Sequence, residues 1–200
     1  MKNLLLTFLF GLFTVAAVAQ ISPGIRLGAH FNDVSIEDDD IELEGTVAFA
    51  GGVFVELALS DNFAVQPELA IIQRGFETDD LFTIGGGRYI ETTTYIDIPV
   101  LLKINIGGEG TGIYLQGGPQ FGYAVNNTIT IGGMDQNFEF SDNSDYNRGE
   151  VSAVAGAGVK LLGFLVDARY NFGLTSRTNN DLALGDNYNR GLTLALGYIF

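Results

Sequence analysis

Hydrophobic and polar residues alternate along this chain. From Tyr95 to Ile106, the side chains of Ile96, Ile98, Val100, Leu102, Ile104 and Ile106 share one face of an extended strand. Tyr95, Asp97, Lys103 and Asn105 share the other. A period of two specifies a strand, because successive side chains leave the backbone on opposite sides. One face is aliphatic throughout and the other carries both signs of charge. A half-buried strand of a soluble sheet has this pattern. So does a strand with lipid on one side and a polar lumen on the other.

The pattern recurs and predicts eight strands, at 24–32, 47–59, 63–77, 89–106, 111–125, 150–161, 164–174 and 189–200. The connections alternate in length. Short ones at 60–62, 107–110 and 162–163 follow the second, fourth and sixth strands; long polar ones at 33–46, 78–88, 126–149 and 175–188 follow the others. Short turns at one end and long loops at the other predict an all-β fold, an eight-stranded antiparallel up-and-down transmembrane β-barrel. Its turns and both termini then lie on the periplasmic side.

The turns supply a register for three hairpins. Leu59 opposite Phe63 sets Glu56 against Gln66. Ile106 opposite Thr111 sets Lys103 against Tyr114 and Asp97 against Gln120. Leu161 opposite Phe164 sets Gly158 against Asp167 and Gly156 against Arg169. In each hairpin polar or small residues face their own kind, as a conserved facing requires; chance would achieve this about one time in eight. The same parity divides the chain into two sets. Leu27, Phe31, Val53, Leu69, Ile98, Leu102, Leu115, Val166, Leu194 and Leu196 belong to an uncharged outward set. Arg26, Glu56, Glu68, Arg74, Asp97, Lys103, Lys160, Asp167 and Arg169 face inward with His30. A closed lumen cannot hold so many unpaired ions, since desolvating each costs several kcal/mol. These nine charges are therefore expected to interlock as a lumen network that blocks conduction.

Aromatic residues gather at two levels, Phe164, Tyr198 and Phe200 toward the turns, Phe31, Phe121, Tyr123, Tyr170 and Phe172 toward the loops. Rings of this kind belong at lipid headgroups. Pro67, Pro99 and Pro119 fall inside strands, where they cannot donate to a ladder, and predict bulges or unbonded positions.

Composition narrows the reading. Lys2, the apolar run 4–18 and the small-x-small triplet Ala17-Val18-Ala19 predict a secretory signal peptide over 1–19, leaving 20–200 as one outer-membrane barrel domain. The chain has no cysteine, hence no disulfide and no thiolate metal site. A net charge of −14 opposes nucleic-acid binding.

Three motifs carry a resemblance: Gln66-Pro67-Glu68-Leu69, Tyr95-Ile96-Asp97-Ile98-Pro99-Val100-Leu101-Leu102-Lys103 and Gly117-Gly118-Pro119-Gln120-Phe121-Gly122-Tyr123. With the terminal Phe200, the chain resembles the PorT-like outer-membrane β-barrel family. The resemblance implies a small barrel in the outer membrane of a Gram-negative cell. It also implies assembly by the barrel-assembly machinery and, for some members, service to secretion-system proteins.

No catalytic constellation is legible. His30 is the only histidine, and no Gly-x-Ser-x-Gly motif accompanies it. The acidic run at 37–40, with Glu42 and Glu44, lacks calcium-loop spacing and reads as a solvated loop face that divalent ions could bridge to lipopolysaccharide. The glycines at 85–87 and 132–133 lie in no strand-to-helix turn and so are not phosphate cradles. The sequence thus implies no cofactor and no enzymatic activity. It predicts an outer-membrane protein with a structural, adhesive or secretion-accessory role through its loops, in contact with outer-membrane lipid and lipopolysaccharide. The alternatives are an outer-membrane enzyme on lipid or peptide, and a soluble periplasmic binding barrel.

Overall fold

The computed structural model describes residues 20–34, 44–78, 89–108, 110–131, 134–138, 147–175 and 188–200. The segment 1–19, the acids at 37–42 and the glycines at 85–87 and 132–133 lie outside the described residues. The described residues form ten strands in one sheet: β1 (Gln20–Val34), β2 (Glu44–Gly45), β3 (Val47–Ala58), β4 (Phe63–Thr78), β5 (Tyr89–Gly108), β6 (Thr111–Ile131), β7 (Met134–Phe138), β8 (Gly149–Leu161), β9 (Phe164–Gly173) and β10 (Asn189–Ile199). Eight are staves. β2 and β7 are short additions at the loop end, paired to β4 and β6. Every pairing is antiparallel, and β1 pairs with β10 from Gly24↔Ile199 to Val34↔Asn189, so the sheet closes into an eight-stranded barrel. Both ends of the described chain lie at the turn end.

The faces divide as alternation requires. Leu27, Val53, Leu69, Leu102, Leu115, Val166, Leu194 and Leu196 point outward and are exposed, whereas Arg26, Glu68, Arg74, Asp97, Lys103, Asp167 and Arg169 are buried. Aromatic rings flank the aliphatic band. At the turn end Tyr198 lies 5.0 Å from Phe164 and 5.5 Å from Phe200, joined by Phe63; at the loop end Tyr170 and Phe172 lie 4.6 Å apart, with Phe31, Phe49, Phe121 and Tyr123 at that level. A soluble barrel would reverse this polarity.

The hairpin registers divide into two that match the expectation and one that does not. β8 and β9 pair with Leu161↔Phe164, Gly158↔Asp167 and Gly156↔Arg169. Leu57↔Val65 and Ala58↔Ala64 set Leu59 opposite Phe63. The hairpin of β5 and β6 closes further out, at Gly108↔Thr111, so Lys103 faces Gln116 and Asp97 faces Gly122. Gly107 and Gly110 adopt φ of +140° and +81°, which lets the ladder run into the glycine-rich stretch that looked like a loop. The shift is two residues, so each side chain keeps its face. The connection expected over 126–149 is also shorter. β6 continues to Ile131, and Ile131 pairs with Met134 of β7. The alternation Thr128-Ile129-Thr130-Ile131 and the intervening pair of glycines are the hairpin signal.

The prolines produce gaps rather than bulges. Pairing of β3 with β4 stops after Phe54↔Glu68 and resumes at Leu57↔Val65; the interruption contains Pro67. Pro99 sits in the like gap between β4 and β5, and Pro119 in that between β5 and β6. Register is unchanged across all three, and the register shift occurs instead at Thr94/Tyr95.

Two expectations follow. Leu102→Arg and Leu194→Arg, in the aliphatic band, should each destabilise the barrel by ~2–4 kcal/mol in a denaturant refolding titration into lipid, with Ser60→Arg at a turn close to silent. Leu162 holds φ of +51° beside Gly163 at +89° in the two-residue turn between β8 and β9. This is the conformation of a primed hairpin turn, costly for leucine and tolerated by asparagine. Leu162→Asn should therefore stabilise by about 1 kcal/mol in the same titration.

Candidate functional site

The lumen is where the inward residues meet, and it is stratified. Nearest the turns, Phe54, Tyr114, Leu165 and Ile199 form a buried apolar layer. Glycines make room for its rings: a Cβ on Gly24 would sit 2.3 Å from the Phe54 ring, and one on Gly158 would sit 2.4 Å from that of Tyr114. Small residues on one stave thus accept large ones from another.

Above and beside this layer lies the larger ionic cluster, with its Glu56 on the turn side of Phe54 along β3. Arg26, from β1, reaches Glu68 on β4 at 3.2 Å and Asp167 on β9 at 2.8 Å. Arg169 closes the ring, with Nη1 at 2.8 Å from Glu68 and Nε at 2.9 Å from Asp167. Two acids and two bases therefore share their charges around a cycle. Neighbours saturate the remaining oxygens: the Tyr114 hydroxyl donates to Asp167 at 3.1 Å, and the Gln66 amide donates to Glu68 at 2.6 Å. Lys103 donates to Glu56 at 2.6 Å and to the Gln66 carbonyl oxygen at 3.3 Å, and its ammonium lies 4.0 Å from the centre of the Tyr114 ring.

A second cluster lies toward the loops. Arg74 donates to Asp97 at 2.5 and 3.4 Å and lies 3.9 Å from Glu150. Its guanidinium stacks 4.5 Å from the centre of the Tyr95 ring. Gln120 donates to Asp97 at 2.9 Å, and Asn189 donates to Glu150. Gly122 lies beside this pair, where a Cβ would come within 2.6 Å of an Asp97 oxygen.

Of the nine charges named from sequence, eight therefore lie in these two clusters. Lys160 does not; it is half-buried at the turn end of β8 and forms no ion pair among the described residues. Glu150 is the acid that sequence reasoning left out. It stands one residue inside β8 with the parity of Ser152 and Val154, so the alternation already contained it. Tyr95 and Tyr114 were placed on the polar face, but their stacking on Arg74 and Lys103 has no sequence signal. His30 is buried, its Nδ1 2.8 Å from the Thr193 hydroxyl. The described residues hold no group of His, Asp and Glu arranged to bind a metal ion.

The clusters make distinct demands on a variant. Removing one member of a buried pair strands its partner, so Arg169→Ala and Arg74→Ala should each cost on the order of 3–5 kcal/mol. Lys160→Ala should cost little. Urea midpoints of the three variants refolded in the same detergent provide the measurement.

Comparison with known proteins agrees with this architecture. Neisserial surface protein A has the same fold, with a TM-score of 0.51 at 10% identity over 90% of this chain and 99% of that one. Ail, the attachment invasion locus protein of Yersinia pestis, gives 0.48 at 19% identity over 90% of this chain and 98% of that one. No curated protein matches the chain in sequence. The family model described as the outer membrane protein beta-barrel domain matches residues 18–179. An uncharged outward band, two aromatic belts, a closed sheet and this match lead to one conclusion: the chain belongs to the outer membrane protein β-barrel domain family and resides in the outer membrane.

Proposed function

We infer that the protein is a non-enzymatic outer-membrane barrel whose wall anchors it and whose loop-side extension does its work, in an adhesive, structural or secretion-accessory role. The observation that carries this reading is the inequality of the staves. β5 and β6 have 20 and 21 residues, whereas β9 and β10 have 10 and 11. Beyond the Ile96↔Tyr123 level the loop ends of β5 and β6 continue for seven and eight residues, which at about 3.4 Å per residue carries their ladder roughly 25 Å past the aromatic belt. Thr92, Thr94, Asn126, Asn127, Thr128 and Thr130 lie exposed or half-exposed on it. Such a surface suits water and protein contacts, not hydrocarbon. The PorT-like resemblance supports the secretion-accessory form of this role. The N-terminal segment 1–19 acts as the export signal, the barrel-assembly machinery inserts the mature chain, and lipopolysaccharide surrounds its loop-side belt.

The lumen does not conduct in this reading. The apolar layer and the ionic clusters occupy the barrel's cross-section, as eight staves leave room for side chains and for no open pore. In planar bilayers the wild-type protein should give no large, steady single-channel current; such a current would remove the closed-lumen premise. The site of action is tested separately. A variant with residues 127–138 replaced by a short Gly-Ser linker should still fold and reach the membrane. It should fail to restore whatever adhesion, secretion or envelope defect a deletion strain shows. Full restoration would transfer the function to the barrel wall.

A further inference from the structure

The two ionic clusters do not touch everywhere. A cavity of about 30 Å³ lies between them, bordered by Arg26, Glu68 and Arg169 on one side and Gln120 on the other. His30 and Asn171 also line it. Both are buried, at 1% and 5% exposure. Neither amide atom of Asn171 has a hydrogen-bond partner among the described residues, and neither does Nε2 of His30. His30 cannot turn its other nitrogen to help, because Thr193 already engages Nδ1. An unmet buried polar group is costly and rare in native interiors, so these atoms point to a ligand.

Size, charge and bonding identify its class. A water needs roughly 10–15 Å³ of such volume, so the cavity takes about two. Organic molecules and hydrated ions are too large. Arg26 and Arg169 are already balanced by Glu68 and Asp167, so a bare ion would lose its hydration without finding an opposite charge. Asn171 presents a donor and an acceptor together, and water can serve both.

The cavity is also part of a gradient. The remaining buried side-chain atoms without partners among the described residues belong to Arg74, Gln116, Glu150 and Ser152. Gln116 lies on the loop side of Tyr114 along β6, and Asn171 on the loop side of Leu165 along β9; Arg74, Glu150 and Ser152 lie near the loop ends of β4 and β8. None lies below the layer of Phe54, Tyr114, Leu165 and Ile199. Unmet polarity thus begins where the apolar layer ends.

We propose that the lumen is a one-ended hydrated chamber. It admits water from the loop side and is stopped by the apolar layer at the turn side. Its innermost site, between Asn171 and His30, holds about two ordered waters that bridge the ionic clusters. The proposal is independent of the role inferred above, since a barrel that excludes ions can be wet or dry inside.

Magnetic relaxation dispersion of water ¹⁷O and ²H, on the full barrel refolded in detergent micelles, counts long-lived internal waters. The wild type should show them. Asn171→Leu removes the unpaired amide, and Ala70→Val fills the cavity from another stave; each should lower the count by about one or two. A wild type with no long-lived water, or an undiminished count in the folded variants, would overturn the site. If one variant does not fold, the wild type and the other variant decide. Direction is read in the cysteine-free background. In the folded barrel, Ser152→Cys should be blocked by Ag⁺ far faster than Leu165→Cys, measured by thiol titration after denaturation. Equal or reversed rates would overturn the one-ended arrangement.

Discussion

A strand surrounded by hydrocarbon has no water to satisfy its backbone, so each N–H and C=O must find a partner in the next strand, and the last strand must find the first. The pairing of β1 with β10 meets that requirement. Other features follow from it. Closure creates an inside; lipid claims the outside for apolar side chains; alternation then delivers every other residue to the interior, whatever its chemistry. The polarity of the lumen is a by-product of wrapping the chain with its apolar face outward.

That by-product has to be made tolerable. Charges delivered inward from β1, β3, β4, β5, β8 and β9 are far apart in sequence, and barrel curvature brings them together. Arg26 and Asp167, for example, are 141 residues apart and form an ion pair at 2.8 Å. The cyclic arrangement of Arg26, Glu68, Asp167 and Arg169 lets each base serve two acids. This suits a narrow space better than isolated pairs, each of which would need its own compensation. Glycine and alanine fill many of the intervening inward positions because a large inward side chain needs the space over its neighbouring stave; the fit of Phe54 over Gly24, its partner on the adjoining β1, is the clearest instance.

Facing and strand number were legible in the sequence because both rest on parity, which a register error of two residues does not disturb. The β5–β6 hairpin illustrates this: its closure lies at Gly108↔Thr111 instead of four residues' worth of loop, yet Lys103 still faces inward. Partner choice was not legible. Nothing local in Arg169 distinguishes Glu68 from Glu56, and the answer depends on barrel stagger, a global quantity. The β5 half of the outer extension lay within the strand expected over 89–106, whereas the β6 half beyond residue 125 was hidden, for a different reason. Its threonines and asparagines suit a strand in water, whereas the pattern sought was one of lipid-facing residues. Glu150 was missed at a strand boundary, the least certain part of any such reading.

Pro67, Pro99 and Pro119 interrupt three successive ladders, and the gaps abut: Pro67 pairs with Val100, which borders the gap of the next ladder. The main chain alone therefore has a diagonal fault through β3, β4, β5 and β6. The side chains inside it cross that fault. Glu56 on β3, Gln66 on β4 and Lys103 on β5 are tied together by hydrogen bonds, and Glu68 is tied to Gln66. At the β3–β4 step of this line, where Glu56 and Gln66 are unpaired in the ladder, the side chains add the cross-link that the backbone lacks, through Lys103. Lys103 there acts as a rivet, so clearing the interior of this sector for passage would also remove the cross-link at its β3–β4 gap.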